Sequence, residues 1–159
     1  MMPPTALHED PTFVLLRRDN LMVAAWHDAP SLAQMRIIGR HMDVWRPPYD
    51  HHVAYVNVIV NGRVEGFNAE VREAAKRLSE KYPPALCVAN IVLVQGLSGI
   101  LTRTVMRAMR MVGRTHSPWR VFDSCGEAAT WIAQQLDGQV NLTWSASEVL
   151  AVLNQAARR

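Results

Sequence analysis

His52-Val-Ala-Tyr-Val-Asn-Val-Ile-Val60 and Leu86-Cys-Val-Ala-Asn-Ile-Val-Leu-Val94 decide the fold of this chain. Both are short, β-branched and apolar almost throughout. A strand half exposed to water alternates apolar and polar residues, whereas one covered on both faces does not. Two such runs therefore predict neighbouring central strands of a parallel sheet. The stretch between them has helical spacing. Asn61-Gly62 makes a turn and Asn68 is a fitting N-cap. Glu70 and Glu73 fall early and Lys76, Arg77 and Lys81 late, as the helix dipole favours. Pro83-Pro84 stops this helix, placed at Asn68–Tyr82.

Upstream, Leu32, Met35, Ile38, Met42 and Trp45 recur at three and four residues and predict a helix over Ser31–Trp45, closed by Arg46-Pro47-Pro48. Before it, Thr12–Arg18 and Leu21–Trp26 flank Asp19-Asn20, the pattern of a β-hairpin. Met1–Pro11, with three prolines and little periodicity, reads as a loose tail. Downstream, Gly96 breaks the strand and a third helix is expected over Ser98–Val112, with Gly113 as its C-cap. Trp119–Phe122 is a short strand. A fourth helix is capped by Asp123 or Ser124 and runs to Leu136, and Asp137-Gly138 ends it. Ser145-x-x-Glu148 is a capping box that opens a fifth helix reaching about Ala157.

The expected fold class is therefore α/β: a mixed sheet of about five strands, the first hairpin antiparallel and the rest mainly parallel, with four helices and one more at the C-terminus. The organisation is a tail (1–11), an α/β domain (12–137) and a helical extension (138–159). The chain has 159 residues, 49% of them hydrophobic and 19% charged, a composition unlike that of a disordered chain. Its longest apolar runs are of strand length, so no membrane insertion is expected. No basic segment followed by an apolar core opens the chain, and Cys87 and Cys125 do not make a disulfide scaffold, so a cytoplasmic location is expected.

Seventeen cations against fourteen acids give a net charge of +3, too low to point to nucleic acid. Their placement is more informative. Between Gly96 and Arg120 there are five arginines and no acid. Arg103, Arg107, Arg110 and Arg114 share one face of the third helix, while Leu101, Val105, Ala108 and Val112 point the other way, as a core face would. Guanidinium groups bind carboxylates in a bidentate fork. The arginine row, with Met106 beside it as an adaptable apolar contact, is therefore expected either to dock on an acidic protein partner or to meet carboxylates from neighbouring elements of the chain. A second candidate is the start of the same helix. There Gly96, Ser98 and Gly99 could offer backbone N–H groups to a small ligand or phosphate, although Ser98 also suits a helix cap.

Chemistry beyond binding finds little in the sequence. His27-Asp28, His41 and Tyr49-Asp50-His51-His52 lack metal-site spacing, and neither a nucleophile elbow nor a dinucleotide or nucleotide-phosphate loop occurs. Cys87 falls in a central strand as a small hydrophobe, and no base neighbours Cys125 in sequence. No enzyme activity, metal or cofactor is expected. In the fifth helix, Val149, Leu150, Val152 and Leu153, with Trp144 before it, must bury an apolar face. The alternatives are its own sheet or a homodimer formed through Trp144–Leu153.

The element order from Thr12 to Leu136 resembles that of the STAS domain family, the anti-sigma-factor antagonists and their SpoIIAA-like relatives. Val121-Phe122 followed by Glu127-Ala128-Ala129-Thr130-Trp131-Ile132 is similar to the last strand and helix of those domains. The resemblance implies a non-catalytic regulatory module that docks on a kinase, a switch protein or a transporter. Family members are often switched by phosphorylation of a Ser at the start of the helix after the third strand. This chain departs there: 61–68 holds no Ser or Thr, and Asn68 stands near the acceptor's place. Asp123-Ser124-Cys125-Gly126 looks like the acceptor motif but follows the fifth expected strand.

Overall fold

The computed structural model describes residues 2–61, 67–112 and 117–158, with residues 109–112 described by backbone alone. The elements are β1 (Thr5–Glu9), β2 (Phe13–Arg18), β3 (Leu21–Trp26), α1 (Leu32–Tyr49), β4 (Ala54–Ile59), α2 (Ala69–Glu80), β5 (Cys87–Val92), α3 (Gly96–Val112), β6 (Trp119–Phe122), α4 (Cys125–Leu136) and α5 (Ala146–Ala157). The six strands form one mixed sheet in sequential order, β1-β2-β3-β4-β5-β6. β1 to β3 are antiparallel; β3 to β6 are parallel. This is the expected α/β architecture with one strand more, and it is consistent with a STAS-like fold.

Sequential strand order has a geometric consequence. Each parallel crossover turns with the same hand, so successive connecting helices lie on the same face. Met35, Ile38, Met42 and Trp45 of α1, Val71 of α2 and Met106 of α3 accordingly share one core layer with Phe13, Leu15, Met22 and Ile59. After β6 the chain returns across the opposite face. There Ala128, Ile132 and Leu136 of α4 and Val149, Val152, Leu153 and Ala156 of α5 cover Leu16, Val23, Val56 and Ala89. β4 and β5 are thus covered on both faces, which is why they carry no alternation. Their one polar pair is satisfied sideways: Asn57 Nδ2 donates to Asn90 Oδ1 at 2.9 Å.

Four of the five helix starts are where the sequence places them, and α3 begins at Gly96, two residues before its expected start. Ser31, Asn68, Ser124 and Ser145 each accept a backbone N–H of the first turn, and Ser31 and Ser145 form full capping boxes with Gln34 and Glu148.

Three expectations change. The stretch expected as a loose tail (1–11) contains a strand instead, because Thr5–Glu9 pairs with β2 at the sheet edge. Asp10 fastens the turn behind it: Oδ1 accepts from Thr12 N, Thr12 Oγ1 and Phe13 N at 2.7, 2.6 and 3.0 Å. α1 does not stop at Trp45 but continues through Pro47 and Pro48 to Tyr49. Its last turn is tied down from the side. The Trp45 indole donates to the Asp19 carbonyl at 2.8 Å, and buried Arg46 donates to the Pro83 carbonyl. These tethers hold a turn that the prolines alone would disfavour.

The third change concerns the C-terminal helix. Its apolar face does not offer a dimer surface through Trp144–Leu153, because Val149, Val152 and Leu153 are buried against the chain's own sheet and α4. Trp144 is buried too: its indole donates to Asn20 Oδ1 at 2.9 Å, and Asn20 Nδ2 donates to the His52 carbonyl at 2.8 Å. Arg18 stacks on the Trp144 ring at 4.6 Å and donates to Glu148 at 3.0 Å. α5 is part of the domain, not an appendage.

Candidate functional site

The third helix is the element with the most unassigned surface. A turn at Gly96, with φ of +70°, leads into it from β5, a backbone angle that favours glycine. Gly99 then passes so close to Val94 that a Cβ would collide with the Val94 carbonyl. A positive φ at Gly96 and a close approach at Gly99 account for the two glycines. Ser98 is exposed within the first turn of the helix, not at its cap, and its carbonyl accepts from Thr102 Oγ1 at 2.8 Å.

This close approach fixes the rotation of α3. Thr102 and Met106 face the sheet, with Met106 only 4% exposed. The expected core face lies elsewhere: Leu101 is 48% exposed, Ala108 is exposed and Val105 is half-buried. Val112 lies where only backbone is described. The inward face therefore lies about 110° around the helix from the expected one, at about 100° per residue. Met106 in consequence cannot line a docking surface.

The described arginines differ in burial. Arg103 is half-buried and leans back along the helix, with Nη1 3.5 Å from the Val92 carbonyl at the end of β5. Arg107 projects into solvent. Neither meets a carboxylate among the described residues. The Arg110 side chain and all of Arg114 lie outside the described residues. The part of the row that is described is thus an uncompensated cationic edge.

The same rotation turns Leu101 and Ala108, expected in the core, outward beside apolar side chains for which the sequence suggests no role. Leu97, Ile100 and Leu101 are 72%, 55% and 48% exposed, and Thr104 and Ala108 continue the line as exposed positions. Counted from Leu97, offsets of three, four, seven and eleven residues make one continuous ridge. The signal was present in the sequence as an apolar row, but its direction was not.

Other candidates resolve into structural roles. His27 contacts the Ala156 carbonyl at 3.0 Å, and His52 pairs with Gln139 at 2.8 Å. His51 sits beside Asp50 and stacks on His52. Burial, with Arg40, His8 and Arg17 nearby, lowers the His41 pKa. No group of three His, Cys, Asp or Glu side chains among the described residues is arranged to hold a metal. Burial pushes the Cys87 thiol up to about 12 and raises that of Cys125, the opposite of what a nucleophile needs. A groove of about 590 Å³ between α1 and α2 has Leu32, Met35 and Leu78 in its lining. Two of its cations are already paired, Arg77 with Glu73 at 3.3 Å and Lys81 with Asp43 at 2.7 Å.

No helix among the described residues is long and apolar enough to cross a membrane. Compared with family models, with curated proteins and with solved structures, the chain matches none; its element order and sheet topology are consistent with a STAS-like fold and identify no family.

Proposed function

We propose that this protein is a non-catalytic regulatory module that docks through α3 on an acidic surface of a partner protein, in the cytoplasm. The observation that carries the reading is the charge state of α3. The helix holds no acid from Gly96 to Val112, and Arg103 and Arg107 are left without carboxylates by the rest of the described molecule. Like charges on one helix face repel, and an anionic partner relieves that repulsion. Arginine adds directional recognition, because its fork matches a carboxylate. On the same sheet face the α2 cations are less available, since α2 mixes them with Glu70, Glu73 and Glu80, while Arg36 and Arg40 of α1 are exposed as well.

The test is charge reversal. R107E/R110E should retain the wild-type circular dichroism spectrum and melting temperature. Affinity purification from the native cell, run in parallel at low and high salt, should recover acidic proteins with the wild type that the double variant loses. Capture of the same proteins by both forms would refute the reading.

A further inference from the structure

Resting on that reading, we propose that the docked segment is an acidic amphipathic helix lying along α3, its apolar side on Leu97, Ile100 and Leu101 and its carboxylates on Arg103 and Arg107. Leu97, Ile100, Leu101 and Thr104 stand at positions i, i+3, i+4 and i+7 of an exposed helix face. That spacing is the one by which two helices interlock their side chains. At about 100° per residue, the centre of this ridge lies roughly 95° around the helix from Arg103 and Arg107. This is the relation between a buried seam and its flanking charges in paired helices, where the seam supplies affinity and the flank selects the partner's charge. Apolar side chains as exposed as Leu97 and Ile100 gain most from such cover.

Charge complementarity decides between occupants. A second copy pairing through α3 would bring a helix without acids against another, arginine row to arginine row. A flat anionic bilayer would also meet α2 on the same sheet face, where Glu70, Glu73 and Glu80 are exposed. A single helix carrying both leucine-type side chains and carboxylates satisfies the ridge and the cations without touching α2.

The experiment uses three fluorescein-labelled synthetic peptides of about 20 residues, long enough for several helical turns. One places Leu in a heptad seam with Glu elsewhere, one scrambles the same composition, and one keeps the seam with Lys in place of Glu. Fluorescence anisotropy is read with the full chain, with L97S/I100S and with R103E/R107E, and near-ultraviolet circular dichroism checks each fold. The wild type should bind the patterned Leu/Glu peptide saturably, at least about tenfold more tightly than the scrambled one, and should not bind the Lys peptide. Each double variant should lose at least about tenfold. If the scrambled peptide binds equally well, or L97S/I100S binds as the wild type does, the helix inference is overturned while acidic docking stands. If no acidic peptide binds, both are overturned. If phosphatidylglycerol vesicles sediment the wild type but not L97S/I100S, and the peptides do not bind, the surface is a membrane contact and the inference fails.

Discussion

Leu153→Ala probes whether α5 belongs to this domain or to an interface between copies. Leu153 is fully buried, in the layer formed by α4, α5 and the sheet. Removing its side chain costs the transfer of the lost methyl groups plus the cavity they leave, about 2–5 kcal/mol at such sites. Domains of this size are stable by about 5–15 kcal/mol, so the loss is a large share of the total. It corresponds to a fall in Tm of roughly 4–20 °C, at about 2–4 °C per kcal/mol. The assay is urea unfolding followed by tryptophan fluorescence, since Trp131 and Trp144 lie in or beside the same layer. The midpoint should fall with an unchanged slope, and neither wild-type nor variant Tm should depend on protein concentration. A loss below about 1 kcal/mol, or a wild-type Tm that rises with concentration, would refute the packing argument and return α5 to an intermolecular role.

Two further outcomes follow from local geometry. Glu148 accepts from the Ser145 N–H and from Arg18, which hold its carboxyl down to about 2. A carboxylate lowered on folding stabilises fully above its ordinary value of 4.5, and the benefit is lost as pH falls toward the folded value. The Tm gap between wild type and E148Q should therefore be present at pH 7 and close between about pH 5 and 2; a gap independent of pH would contradict this. G99A should destabilise by about 1–3 kcal/mol, because its methyl meets the Val94 carbonyl, whereas G126A, with open space around its Cβ, should be neutral or slightly stabilising. Equal effects at the two glycines in thermal melts would remove the close approach that sets the rotation of α3.

Much of the fold was legible because its signals are local. The two apolar runs named the central strands, since coverage on both faces removes alternation. Ser31, Asn68, Ser124 and Ser145 marked helix starts because an N-cap is satisfied within three residues of itself. The arginine row was legible for the same reason: relative angles on a helix follow from spacing alone. Asp10-x-Thr12 also marks the turn behind β1, but the prolines around it argued for a tail, and only pairing with β2 makes Thr5–Glu9 a strand.

Spacing gives the angle between residues but never the absolute direction of a face. α3 carries two inward candidates, Leu101-Val105-Ala108 and Thr102-Met106, and its sequence ranks the more apolar first. Packing chose the second, since Gly99 sits against Val94 and Met106 against the sheet. That choice placed the leucines beside the arginines on the surface, and with them the candidate site. Likewise, composition required α5 to bury its apolar side, but only a free sheet face over β2 and β3 and the anchor of Trp144 on Asn20 decided that it does so within its own chain. Sequence by itself determined which segments are helices and strands and which residues share a face; the tertiary structure decided where each face points, because that depends on contacts between residues far apart in the chain.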